Sequence, residues 1–271
     1  MKQLRILRII LAVLFMTACC ACLIMGPHVH PMARAAQKLQ ITLTTASVSL
    51  GITAVWLVIT FVFGRVYCAS VCPVGVLSDI FFLIRKRVPK LNKPFKFRHN
   101  SRVGLHLLWI YILCLVVGVA AVTFILEPYS MARNMASVFN RDATASTWAT
   151  ISLGSLTGVG VGILSFLALA LSSLRYGREY CSRYCPVGTA LGYVQEYSRL
   201  HIDIDPDRCT SCGLCEDICR TQSIKVVSRY VDQQRCVRCF DCVAKCPEGA
   251  IRYQLNRNTP RSPLLRKVGS K

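Results

Sequence analysis

Four long apolar stretches, at 9–25, 43–63, 103–126 and 149–174, dominate this 271-residue chain, and none contains an aspartate or a glutamate. As a helix the second, 21 residues long, would reach about 31 Å, close to the ~30 Å hydrocarbon core of a bilayer. With 53% hydrophobic and 17% charged residues, the chain is not composed like a soluble globule. Four transmembrane helices are the expectation. The fourth carries Gly154, Gly158, Gly160 and Gly162, a small-residue face that lets a neighbouring helix approach closely. The first follows Lys2, Arg5 and Arg8 as a secretory leader would, but its apolar run continues past Cys19 and Cys22 to Met25, so it reads as a retained helix.

The net charge of +20 would suggest nucleic acid in a soluble protein, but its distribution gives a simpler account. Sixteen basic residues outside the spans fall at the N-terminus, in 65–102 and in 175–199, against four in 26–42 and 127–148. This bias puts both termini on the cytoplasmic side of a bacterial inner membrane. The Arg85-Lys86-Arg87 run then suits anionic lipid head groups, and no nucleic-acid partner is required.

A repeat emerges once the spans are placed. The sequence GRVYCASVCPVG at 64–75 closes the second span and GREYCSRYCPVG at 177–188 closes the fourth, with eight of twelve positions identical. The membrane part, residues 1–199, thus reads as an all-α four-helix bundle built of two parallel two-helix repeats. Amphipathic segments at 76–84 and 189–197 follow the two motifs and are expected to lie along the cytoplasmic surface. The paired cysteines, Cys68 with Cys72 and Cys181 with Cys185, have two open readings: a further metal, iron–sulfur or dithiol site, or thiols that pack a helix end. A spacing of four puts both sulfurs on one helix face, and the proline after each pair marks a break or the start of a new helix.

After residue 199 the composition changes, for 199–271 holds eight of the thirteen acids and no spanning segment. Here lies the strongest chemical signal: Cys209, Cys212, Cys215 and Cys219, then Cys236, Cys239, Cys242 and Cys246 followed by Pro247. Zinc sites use separated pairs of cysteines, whereas runs of three at intervals of three suit iron–sulfur cubes. This doubled spacing is similar to that of bacterial two-cluster ferredoxins. The similarity implies one 4Fe–4S cluster on Cys209, Cys212, Cys215 and Cys246, and another on Cys236, Cys239, Cys242 and Cys219. Arg220 stands where the second run has Pro247, which puts the rigidity of that loop in question but not the ligands. Strand pairs at 202–204 with 250–253 and at 224–227 with 230–231 would complete a small α+β domain over 200–255, whose folding should depend on its metal. Residues 256–271 read as a flexible basic tail.

The other cysteines, Cys19, Cys20, Cys22 and Cys114, lie in apolar stretches at no ligand spacing and read as packing residues. Of His28, His30, His99, His106 and His201, no two fall at matching depths in the spans, which argues against bis-histidine haem. Glu127, at the outer end of the third span, with His28 and His30, are the candidates for a polar site near the membrane. Tyr129 there reads as an interfacial anchor. No nucleotide fingerprint is present.

Four spans, two GRxYCxxxCPVG copies and a C-terminal two-cluster ferredoxin domain together resemble the NapH-type membrane ferredoxins over essentially the whole chain. The resemblance implies an electron-transfer subunit of a quinol dehydrogenase. It would draw on the membrane quinone pool, with Glu127, His28 and His30 the candidates for the quinol-handling site, and feed a partner iron–sulfur protein and a terminal, periplasmic nitrate, reductase. The same motifs occur in the C-terminal part of NosR and in CcoG-type proteins, which leaves a metal-reducing assembly factor for a respiratory oxidase as the alternative.

Overall fold

The computed structural model describes residues 2–25, 48–90, 94–98, 102–117, 126–136 and 155–255. In chain order it comprises α1 (Lys2–Met25), α2 (Val48–Phe63), α3 (Val66–Ser70), α4 (Pro73–Arg87), α5 (Val103–Val117), α6 (Pro128–Ala136) and α7 (Ser155–Tyr176). A π-helical turn (Tyr180–Tyr184) and α8 (Pro186–Glu196) follow. The C-terminal part holds β1 (Leu200–Ile204), α9 (Leu214–Asp217), β2 (Ile224–Lys225), β3 (Tyr230–Val231), α10 (Asp241–Lys245) and β4 (Ile251–Leu255).

Among the described residues, one helical stretch, Gln3–Ala21 in α1, is long and apolar enough to cross a membrane. The apolar parts of the other three are shorter, at Gly51–Phe63, Val103–Val117 and Gly160–Tyr176, so the expected four spans are not met by helix length within the described residues. Their outer faces are nonetheless apolar: Val58 on α2, Leu113 and Val116 on α5, and Leu164 and Leu171 on α7 are exposed. A helix facing water would carry polar residues there.

The two copies of the repeat fold alike for reasons legible in the motif. Gly64 (φ +82°) and Gly177 (φ +70°) end α2 and α7 in the left-handed conformation. Their amides donate to the carbonyls four residues back, on Thr60 at 2.8 Å and Ser173 at 3.0 Å, as a glycine C-cap does. Cys72 and Cys185 are N-caps, and Pro73 and Pro186 take the first helical positions of α4 and α8, where a missing N–H costs nothing. The proline thus starts a new helix in both copies.

In the C-terminal part β1 pairs antiparallel with β4 over the full five residues of each, and β2 with β3 over two. The second pair is shorter than expected because the chain turns after Lys225 and passes through a left-handed Arg229 (φ +48°). Ile202, Ile224, Phe240 and Ile251 form its core together with Cys215, Cys219, Cys236 and Cys242.

Buried ion pairs fasten this domain to the helices. Asp79 on α4 accepts from Arg178 Nε at 2.6 Å, pairs with Arg220 Nη1 at 2.6 Å, and receives Arg8 Nη2 of α1. Arg220 also reaches Asp241 at 2.7 Å, and Asp241 pairs with Arg5 at 2.9 Å. Arg5 and Arg8, read from sequence as topology signals alone, are therefore structural as well. Arg220 occupies the position where the second cysteine run has proline, and its side chain, not ring rigidity, fixes that loop.

Burial alone would raise the Asp79 pKa, but the guanidinium groups of Arg178, Arg220 and Arg8 outweigh it and hold the carboxyl at about 2. Its stabilising contribution is thus complete above the ordinary carboxylate range near 4 and is lost as the pH falls toward 2. Asp79→Asn should leave several guanidinium groups buried with too little counter-charge, a loss of about 3–5 kcal/mol. The expected result is a lower thermal unfolding midpoint in detergent at pH 7; an unchanged midpoint would show that the helices and the C-terminal domain are held by other contacts.

Candidate functional site

The doubled cysteine run wraps two cavities. One is lined by Cys209, Cys212, Cys215 and Cys246, with Gly213 and Pro247. The other is lined by Cys219, Cys236, Cys239 and Cys242, with Ile202 and Phe240. Each cavity therefore gathers three cysteines of one run and one of the other. The backbone turns left-handed at equivalent places in both runs, at Ser211 and Gly213 and at Arg238 and Phe240. For the three that are not glycine this geometry is uncommon, and it bends the loop tightly between successive thiols. Among the described residues, no three His, Cys, Asp or Glu side chains converge as ligands of one metal ion; the thiols line cavity walls instead. A four-iron cube needs four soft thiolates from several directions, and these cavities supply that donor set.

Burial in apolar surroundings pushes the Cys215 and Cys239 thiols up to about 12. Near neutral pH these groups hold their protons until metal takes the thiolate, so loading should release protons.

The two cavities differ in setting. Cys212 is exposed, placing the first near the surface. The second sits against the repeat: Val237 is buried in one apolar cluster with Cys68, Cys72 and Cys185, and Cys239 packs on its edge. Both helix-ending glycines serve this contact. A Cβ on Gly177 would stand 2.5 Å from the Arg220 carbonyl, and one on Gly64 would stand 2.5 Å from Arg238 Nε. Arg8 joins the two sides, donating to the Ala69 carbonyl at 3.2 Å and to the Cys239 carbonyl at 3.3 Å.

The four motif cysteines come together through a reciprocal brace. Arg65 Nη2 donates to the Cys181 carbonyl at 2.7 Å, and Arg178 Nη1 donates to the Cys68 carbonyl at 2.9 Å, so each copy's arginine holds the first cysteine of the other. Both arginines are fully buried. Cys68, Cys72, Cys181 and Cys185 lie close enough for their charges to interact. Burial is the main cause that pushes the Cys181 thiol up to about 11 and Cys72 well above its usual value. Cys185 Sγ also accepts from the Gly188 amide at 3.3 Å, at the positive end of α8. The glycine, arginine, cysteine and proline positions shared by the two copies thus each have a structural role, and the arginines are the residues whose role sequence reasoning missed. Their recurrence at one position before each pair was the available signal.

Glu127 is placed differently from expectation. It is fully buried, and Tyr111, beside it, is near enough to both Glu127 and Cys185 to feel their charges. The preceding carbonyl, on Leu126, accepts from Tyr180 Oη at 3.1 Å, and Met131 and Met135 of α6 pack in one cluster with Cys68, Cys72 and Cys185. Residues 126–135 therefore lie against the cysteine motifs instead of at the far end of the span. Tyr129, expected as an interfacial anchor, is buried too. His28 and His30 lie outside the described residues. Cys19 is buried, as a packing residue should be.

The last glycine of each motif explains the tightness of the site. A Cβ on Gly75 would stand 2.3 Å from the Cys68 carbonyl oxygen, and one on Gly188 would stand 2.2 Å from that of Cys181. Backbone cannot yield as a side chain does, so Gly75→Ala and Gly188→Ala should each cost about 1–3 kcal/mol or more and lower the yield of folded protein. Gly160→Ala, with nothing within 4 Å, is the control and should match the parent. Equal yields for all three in a solubility and size-exclusion assay would contradict this geometry.

Comparison with known proteins agrees with an iron–sulfur role. A family model described as a 4Fe-4S binding domain matches residues 45–92 and again 159–204, the two repeat copies. Two others of the same description match 202–225 and 230–251, the two cysteine runs. The chain is 28% identical over 211 residues to an uncharacterized protein of Methanocaldococcus jannaschii, covering 76% of this chain and 71% of that one. It is 28% identical over 158 residues to the methylamine utilization ferredoxin-type protein MauN of Paracoccus denitrificans, covering 58% and 48% of the two chains. With the ferredoxin-type protein NapH of Escherichia coli it shares 23% over 194 residues, 68% of this chain and 60% of that one. No solved structure matches. Iron–sulfur electron transfer is the role these likenesses support, and the chain is similar to the ferredoxin-type proteins MauN and NapH over 58–68% of its length.

Proposed function

We propose that the chain is the membrane-bound electron-transfer subunit of a quinol dehydrogenase. It would take electrons from menaquinol or ubiquinol and deliver them to a partner iron–sulfur protein and a terminal reductase, periplasmic nitrate reductase being the one suggested by the likeness to NapH. In this reading residues 1–199 form a four-span membrane domain with both termini cytoplasmic, 200–255 the ferredoxin domain and 256–271 a tail. The apolar outer faces of α1, α2, α5 and α7 support the membrane placement. The observation that carries the proposal is the meeting of four braced motif cysteines with a buried carboxylate, Glu127, on one side and the Cys239 loop on the other.

Three donor sets follow. Cys209, Cys212, Cys215 and Cys246 would hold one 4Fe–4S cluster, Cys219, Cys236, Cys239 and Cys242 a second, and Cys68, Cys72, Cys181 and Cys185 a further iron–sulfur centre. Such centres accept and release one electron at a time, while quinol gives up two electrons and two protons. The chain's own task is then to receive protons and hold the geometry. Glu127, hydrogen-bonded by Ser130 Oγ at 2.8 Å, would accept a quinol proton as general base, with Tyr111 within range of its charge. Arg65 and Arg178 keep the two cysteine pairs facing each other.

Two measurements test this. Protein purified without oxygen should contain iron and acid-labile sulfide beyond the roughly eight irons of a two-cluster domain, and replacing all four motif cysteines with serine should remove only the excess. Zinc in place of iron would end the proposal. Cys219→Ala should damage the cluster of the second run although it belongs to the first. In membranes supplied with a quinol analogue, cluster reduction followed by electron paramagnetic resonance should slow by about 10²-fold in Glu127→Gln, with iron content unchanged. Spectra that no quinol alters, together with defective metal loading of an oxidase in a deletion strain, would instead favour the metal-reducing assembly factor.

A further inference from the structure

The repeat that braces the motif cysteines is not symmetric in charge. Arg178 lies against a carboxylate, Asp79, at 2.6 Å. The copies are offset by 113 residues, so the counterpart of Asp79 for Arg65 is position 192, which is Gly192. No ion pair to Arg65 exists among the described residues. Its guanidinium meets the carbonyls of Cys181 at 2.7 Å and Gln234 at 2.8 Å, and its Nε has no partner. It also reaches the Cys68 sulfur at 3.9 Å.

A fully buried guanidinium without a carboxylate is costly unless another negative charge lies beside it. An aspartate could not serve from position 192, since even a Cβ there would stand 2.7 Å from the Gln234 carbonyl oxygen and 3.4 Å from Arg65 Nη1. The docked ferredoxin domain has taken that space. What lies beside Arg65 is the thiol set: its charge acts on Cys181 and Cys185 and, across the domain contact, on Cys236. Asp79 is shared by three arginines, so positive charge exceeds negative on that side also. Among the described residues, however, Arg65 is the arginine bonded to a motif sulfur.

We propose that Arg65 is the built-in counter-charge of the centre held by Cys68, Cys72, Cys181 and Cys185, and that it raises the midpoint potential of that centre. This rests on the reading that these four cysteines hold an iron–sulfur centre. A reduced centre carries one more negative charge than an oxidised one, so a fixed positive charge at contact distance favours reduction. The charge, not the shape of the side chain, is the operative property.

The test is a redox titration of the purified full-length protein, followed by electron paramagnetic resonance, on the parent and on Arg65→Gln and Arg65→Lys, with iron measured for each. In R65Q the potential of the motif centre should fall enough to cut its reduced-to-oxidised ratio by tenfold or more at the parent midpoint, about 59 mV for one electron. R65K should stay close to the parent. Loss of the motif centre from R65Q but not R65K would support the same charge requirement. Should R65Q not accumulate, Arg65→His should show a potential that falls as the pH is raised through the histidine range, and a flat profile would count against the idea. An unshifted R65Q, or equal loss of the centre from R65Q and R65K, would overturn the proposal. A parent protein without iron beyond the ferredoxin domain would instead overturn the underlying assignment.

Discussion

The organisation of this protein depends on burying arginines. Arg65, Arg178, Arg235 and Arg238 are among its largest fully buried side chains, and such groups are tolerated inside a protein only when most of their donors find acceptors; one nitrogen of each, Arg65 Nε, Arg178 Nη2, Arg235 Nε and Arg238 Nε, has none. Here the acceptors are backbone carbonyls of the cysteine loops and the two carboxylates Asp79 and Asp241. Arg235 donates to the Thr221 carbonyl at 2.7 Å, and Arg238 to that of Leu200 at 2.9 Å. Each guanidinium fork ties two or more chain segments together. The loops that carry the thiols are therefore held by charge-assisted hydrogen bonds where an ordinary domain of this size would rely on apolar area.

That choice suits the chemistry. Twelve cysteines sit in three groups within a compact region, and filled thiolate sites concentrate negative charge. The buried cations would be a liability in a protein without such groups and become an asset around them. The same logic explains why Asp79 and Asp241 are few and shared: additional acids would compete with thiolates for the same positive field.

Much of this was legible in the sequence, though unevenly. The doubled run was legible because ligand spacing is local; the crossed donor sets were implied by the resemblance to two-cluster ferredoxins, and in the fold each cavity is lined by three cysteines of one run and one of the other. The start of α4 and α8 at Pro73 and Pro186 was one of two readings left open, and the N-caps Cys72 and Cys185 decide it. The cross-brace was not legible, for Arg65 and Cys181 are 116 residues apart and nothing local pairs them. Glu127 was misplaced for a related reason: an apolar run fixes how long a helix could be, not what its end packs against. Arg220 looked like a lost proline, and only the fold shows what replaced it.

The pairing of Arg5 with Asp241 and of Arg8 with Cys239 joins the first turns of the first helix to the last quarter of the chain. Loops of such length cost little more to close than shorter ones, but they close late. During synthesis Arg8 could meet Asp79 early, whereas Arg5 would stay without Asp241, a charge that is expensive near a bilayer, until more than two hundred further residues had been made. Its contact is thus among the last available to the fold. If the C-terminal domain folds only on loading with metal, as expected from its small core, that loading would set the time at which the N-terminal helix reaches its final position.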